Sequence, residues 1–286
     1  MYVKEMLTQG PTLSFEFFPP RDAASAETLR ISMRELVPLS PSFVSITYGA
    51  GGSTRQLTHD LVLRIHSEEK LHVVPHLTCV GSTREQLRGA LQAYCDAGIE
   101  DIMVLRGDIR PGLDMVPPEG FSHAADLVAF IRREFPGFGI GVAGYPQGHP
   151  ETPNRLQELD YLKAKVDAGA DYICTQLFYD NHLFYDFCDR CEAVGIRIPI
   201  IAGILPVTSI ATLRRMSELA LGVHIPGKML KAISRLEGKG SIARFGVHWA
   251  TEQVRDLLDH RVAGIHLYTL NQSRATVQIV ETLGLP

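Results

Sequence analysis

The sequence predicts one parallel (β/α)8 TIM barrel over residues 1–286, with extra helices between strands 7 and 8. Three observations predict it. Eight short β-rich runs alternate with longer amphipathic stretches. The first four runs lie about thirty residues apart, the length of one strand–helix unit. Polar and titratable residues gather where the runs end, which is where such a barrel builds its chemistry. The opposite ends carry bland connectors such as "DAGIED", "DAGADY" and "AVGIRIP". The competing topology is a doubly wound open sheet.

The first run, "LSFEF" (13–17), turns Leu13, Phe15 and Phe17 to one face and Ser14 and Glu16 to the other. Pro19 and Pro20 then stop it, and a helix is expected over Ala26–Leu36. The second, "FVSIT", ends at Thr47 and leads through the glycine-rich "YGAGGSTR" into a helix over Gln56–Glu68. The third, "HVVPHL", carries His76 and precedes a helix over Arg84–Ala97. "DIMVL" ends on Arg106, Gly107 and Asp108. "GIGVA" leads into Tyr145 and His149, followed by a helix over Leu156–Ala168. "YICTQL" contains Gln176, and "IPIIAGI" opens the longest gap. That gap, Gly203 to Gly264, has room for helices near Ser209–Leu219, Gly227–Leu236 and Ser241–His260 before the last run, "GIHLYTL".

Composition excludes several function classes. Of 286 residues, 45% are hydrophobic and 21% charged, as in ordinary globular proteins. The net charge of −4, with no Lys/Arg run, argues against nucleic acid or membrane as a partner. The N-terminal "MYVKEMLTQGP" lacks an apolar segment of signal-peptide type. Five cysteines, an odd count, argue against a disulfide framework and point to a reducing cytoplasm.

Individual motifs carry competing readings. A charged residue in a buried strand costs free energy unless it is paired, hydrated or used. Glu16 therefore reads as a core ion pair, an edge-strand carboxylate or a catalytic group, and its place at a strand end favours the last. "GIGVAG" matches G-x-G-x-x-G, but its glycines lie within a strand and a proline-rich turn follows, so no dinucleotide site is expected from it. Small residues in a barrel strand instead suggest close approach of a flat ligand. "YGAGGSTR" reads equally as a phosphate cradle and as a flexible connection. Cys188 and Cys191 form C-x-x-C mid-helix without a second pair, and no metal is expected. Asp108 reads as a helix-cap or turn aspartate or as a site residue, and Arg106 as the partner of Asp108 or of another carboxylate.

Taken together, "SFEFFPPR", "SITYGAGGSTR", "PHLTCVG", "DIMVLRGD", "GYPQGHPE", "KVDAGADYICTQLFYD", "IPIIAGILPV" and "HLYTLN" resemble the methylenetetrahydrofolate reductase family, in its short bacterial form with the catalytic barrel only. The resemblance runs in order from about residue 12 to the C-terminus. It implies an FAD-dependent barrel that reduces 5,10-methylenetetrahydrofolate to 5-methyltetrahydrofolate with NADH or NADPH by a ping-pong mechanism, and a homo-oligomer. It assigns Glu16 as general acid and Asp108 as the aspartate near flavin and pterin. It places Gln176 on the folate and the reduced nicotinamide. Thr47, His76, Arg106, Gly107, Tyr145, His149 and Lys165 fall on flavin-contacting positions, with His123 and Ala124 after a longer loop. Glu158 and Tyr161 occupy further flavin positions with changed residue types. Burial among Phe15, Phe17 and Phe18 favours the neutral, proton-bearing form of a carboxylic acid.

The chain also departs from the family pattern. Gln272 stands where the bacterial pattern often has arginine, with Arg274 two positions on. Thr212 and Met216 replace a folate-contacting glutamine and a stacking phenylalanine. These changes bear on the folate tail and motivate one alternative, a flavoenzyme working mainly in the 5-methyltetrahydrofolate-oxidising direction. A folate-barrel methyltransferase and a non-catalytic flavin- or folate-binding protein are the other two.

Overall fold

The structure, a computed structural model, describes residues 1–48, 55–107, 119–220, 222–238 and 240–285, without the side chains of Arg55 and Leu219. Asp108 and most of the glycine-rich 48–55 connection therefore lie outside the described residues.

Eight parallel strands close a barrel in chain order, β8 pairing back onto β1. They are β1 (Thr12–Phe17), β2 (Phe43–Ile46), β3 (Val73–Thr78), β4 (Asp101–Leu105), β5 (Gly139–Gly144), β6 (Tyr172–Thr175), β7 (Ile200–Ile204) and β8 (Gly264–Tyr268). β1 is hydrogen-bonded on both sides, with Glu16 in register with Ser45 and Tyr268. An open doubly wound sheet is thereby excluded.

The helices are α1 (Val3–Gln9), α2 (Ala23–Leu36), α3 (Arg55–Glu69), α4 (Arg84–Asp96), α5 (Ala124–Glu134), α6 (Arg155–Asp167), α7 (Asn181–Ala193), α8 (Ile210–Leu219), α9 (Gly227–Leu236), α10 (Ile242–Asp259) and α11 (Arg274–Leu283). As the sequence leads one to expect, α8, α9 and α10 fill the gap between β7 and β8. α2 begins three residues before its expected start. The Asp22 carboxylate accepts the Ser25 amide at 2.8 Å, a cap that fixes the first turn upstream of the apolar pattern.

Every residue of β1 is buried, but the two faces meet different partners. Leu13, Phe15 and Phe17 pack in the main core with Leu29, Met33 and Leu36 of α2. Ser14 and Glu16 face the barrel interior. Tight spots in that interior are relieved by glycine. A Cβ on Gly141 would stand 2.5 Å from the Tyr172 ring, and one on Gly203 2.2 Å from the Thr175 carbonyl oxygen. The glycines of "GIGVAG" thus make room for the protein's own side chains: Gly139 faces Asp101, Gly141 faces Tyr172 and Gly144 faces Ile173 and Phe187. Ala143 of the same strand lines the larger cavity described below.

The N-terminal end of the barrel is plugged by α1, a helix too short to signal itself in the sequence. Val3 and Leu7 pack with Phe43, Val74, Met103, Tyr172 and Ile201. The buried Asp101 carboxylate accepts the Val3 amide at 3.1 Å and lies 2.8 Å from His72 Nε2. Among the described residues, no helix is long and apolar enough to cross a membrane.

Candidate active site

Alternation along β1 and β8 builds a polar cluster inside the barrel. Glu16 is only 7% exposed. Its Oε2 lies 3.5 Å from His76 Nε2 and 3.7 Å from His266 Nε2. His266 is held on both nitrogens, Nδ1 at 2.8 Å from Ser14 Oγ and Nε2 at 3.3 Å from Ser45 Oγ. The Phe43 ring stacks on it, with centroids 6.0 Å apart. Burial lowers the His76 pKa below the usual histidine value; the Glu16 carboxylate opposes that shift and His266 adds to it. His76 is therefore neutral near pH 7, and among the described residues no lysine or arginine pairs with Glu16.

A cavity of about 570 Å³ opens at the C-terminal ends of β3, β4 and β5. α6 contributes Glu158, Tyr161 and Lys165, whose spacing puts them on one helix face. α5 brings in Ala124, with His123 at its N-cap. The strand ends add Arg106, Gly107 and Tyr145, and the β5–α6 connection adds His149 and Glu151. Lys165 Nζ donates to the Ala143 carbonyl at 2.6 Å. Its burial lowers its pKa to about 8 against the opposing pull of Glu158. Arg106 Nη2 lies 2.8 Å from Glu151 Oε2, yet no well-directed hydrogen bond reaches that buried nitrogen from the described residues. Gly107 takes φ +87°, a backbone region that favours glycine.

The cavity thus gathers nine residues singled out in the sequence: Arg106, Gly107, His123, Ala124, Tyr145, His149, Glu158, Tyr161 and Lys165. Thr47 and His76 do not line it. Thr47 caps β2, its amide bonded to the Phe17 carbonyl at 2.9 Å, and His76 belongs to the Glu16 cluster. Gln176 is half-buried at the end of β6, its side-chain oxygen accepting the Leu177 amide at 2.9 Å. Thr212 and Met216 line neither cavity described here. Thr212 Oγ1 lies 3.0 Å from Ser209 Oγ at the α8 cap, and Met216 is buried in a small core with Leu205, Val207 and Leu213. Gln272 lines a second cavity of about 390 Å³, beside Arg244, Tyr268 and Arg274.

His266, Ser45, Tyr268 and Glu151 are absent from the sequence-derived set. The alternation used on β1 finds two of them when applied to "GIHLYTL", where His266 and Tyr268 share the inward face. The thiols of Cys188 and Cys191 lie on α7, and burial pushes them up to about 12 and about 11, so they are poorly reactive.

The chain matches the methylenetetrahydrofolate reductase family over residues 3–284. It belongs to that family. A 5,10-methylenetetrahydrofolate reductase of Pectobacterium carotovorum subsp. carotovorum is 39% identical over 96% of this chain and 90% of its own length. The corresponding Escherichia coli (strain K12) protein is 38% identical with the same coverage. Methylenetetrahydrofolate reductase (NADH) 1 of Arabidopsis thaliana is 39% identical over 99% of this chain, which spans about half of that longer protein (50%). Among solved structures, a Clostridium thermocellum protein that binds two copies of 5-methyl-5,6,7,8-tetrahydrofolic acid shares the fold, with a TM-score of 0.66 at 15% identity, covering 97% of this chain and 96% of its own. Methylenetetrahydrofolate reductases are oxidoreductases.

Proposed function

We propose that this chain reduces 5,10-methylenetetrahydrofolate to 5-methyltetrahydrofolate with NADH or NADPH, using bound FAD, the two substrates occupying one site in turn. The observation that carries the reading is Glu16: a buried carboxyl group near the C-terminal end of the barrel, with no lysine or arginine partner among the described residues, in a chain of this family.

The larger cavity fits an elongated anionic cofactor. Its volume lies in the range of small-molecule sites. The unsatisfied Arg106 Nη2 is a buried donor waiting for an acceptor, and Arg106 and Lys165 would hold the cofactor's phosphates. When bound, FAD supplies the hydride chemistry.

The folate carbon to be reduced bridges two nitrogens and is a poor hydride acceptor. Glu16 gives its proton to the departing nitrogen and opens the bridge to an iminium cation, which accepts hydride readily. Neutral His76 adds no positive charge beside that carboxyl group. Ser14 and Ser45 fix the His266 ring beside it. Asp108, at the end of "LRGD", would stabilise the cation electrostatically.

The test is the anaerobic absorption spectrum of the purified protein. Visible flavin bands that bleach with NADH or NADPH and return with 5,10-methylenetetrahydrofolate are expected, and they name the preferred donor. Bands that bleach only with 5-methyltetrahydrofolate would reverse the direction. A colourless protein that takes up no FAD would sink the reading.

A further inference from the structure

The charges lining the larger cavity are unbalanced. Among the described residues, the basic side chains Arg106 and Lys165 share this lining with the carboxylates Asp126, Glu151 and Glu158. An anionic cofactor therefore enters a lining in which carboxylates outnumber arginine and lysine. Two of the carboxylates have local partners. Asp126 Oδ2 lies 3.5 Å from His123 Nδ1, and Glu158 Oε2 accepts the His149 amide at 3.1 Å. Glu151 differs. Its side chain is half exposed and reaches Arg106 from the β5–α6 connection. Its oxygen stands 2.8 Å from Arg106 Nη2 but makes no well-directed hydrogen bond with it. Glu151 thus compensates the guanidinium's charge without satisfying its donor.

We infer that Glu151 is a placeholder on Arg106, displaced into solvent when the phosphate oxygens of the cofactor take the guanidinium. This rests on the flavin reading above. A phosphate offers acceptors in several directions and a bidentate fit to the planar guanidinium, which the misdirected carboxylate lacks. Glu151 is exposed enough to swing away, so releasing it costs no burial. Its presence nonetheless opposes binding by the value of one partly exposed ion pair.

The test uses protein stripped of flavin and titrated with FAD, read by quenching of flavin fluorescence. Glu151→Gln is expected to bind FAD about fivefold more tightly, the upper size of an exposed pair. In an Arg106→Gln background the same change should bring no gain, because the placeholder then has nothing to hold. If Arg106→Gln does not fold, riboflavin replaces it as the control: lacking phosphates, it should bind wild type and Glu151→Gln equally. Unchanged or weaker FAD binding in Glu151→Gln overturns the inference. So does a gain that persists without Arg106, which would make Glu151 a general repulsive charge, and so does a gain with riboflavin, which would make the effect independent of the phosphates. If the wild type takes up no FAD, the flavin reading itself falls, and this inference with it.

Discussion

Burial acts at both the Glu16 cluster and the larger cavity. Glu16 is 7% exposed and stands beside His76, whose imidazole burial keeps neutral near pH 7. Glu16→Gln is expected to retain FAD and its reduction by nicotinamide while losing about 10²–10⁴-fold in the folate half-reaction. Single-turnover measurements of the two half-reactions check this; surviving folate turnover would remove Glu16 as the acid. For Lys165, burial lowers the pKa to about 8, so the ammonium is charged below that pH and neutral above it. An anionic ligand favours the charged form. Affinity for FAD should therefore weaken as pH rises through about 8, and Lys165→Met should flatten that part of the profile in a fluorescence titration. The sign for stability runs the other way in the ligand-free protein. The unfolded chain holds this proton up to the ordinary lysine pKa, so the penalty of burying the charge is full below about pH 8 and fades at higher pH. The strand alternation made Glu16 legible in the sequence. Glu151 was not legible, because its role depends on a loop that brings it back to Arg106, and no local periodicity records such a return.

The secondary-structure elements follow local rules where those rules are strong and escape them where tertiary contact decides. All eight strands appear at their expected places because short β-rich runs bounded by turn residues can hardly form anything else here. α1 has only seven residues and owes its existence to the barrel end it plugs, so no pattern announces it. Glycines show the same division. Gly246 lies inside α10, where alanine would ordinarily add about 1 kcal/mol of helix stability. A Cβ there would stand 1.8 Å from the Val207 carbonyl oxygen, a backbone atom that cannot move aside cheaply. The clash should win: Gly246→Ala is expected to destabilise by about 1–3 kcal/mol, despite its better propensity. Urea denaturation midpoints decide it, and a stabilised variant would refute the packing account.

At the scale of the whole molecule, the barrel separates its duties by end. The C-terminal mouth holds the cavity and the Glu16 cluster, and the N-terminal end holds α1 against Asp101 and the interior side chains. Removing residues 1–9 should cost on the order of 3 kcal/mol from the exposure of Val3, Leu7 and their partners. It should leave FAD affinity nearly unchanged, as thermal melts beside cofactor titrations will show. The closure of β8 onto β1 also sets a calendar for synthesis. The hydrogen bond between Ser14 and His266 joins residues 252 apart in sequence. As the chain leaves the ribosome, Glu16 emerges long before its imidazole neighbour His266. Until then β1 lacks one of its two flanking strands, and the large loop-closure entropy of that final pairing is still unmet. A nascent chain halted before β8 would hold most of the barrel yet leave Glu16 on an open edge. The Glu16 cluster is therefore complete only once β8 has been made and paired.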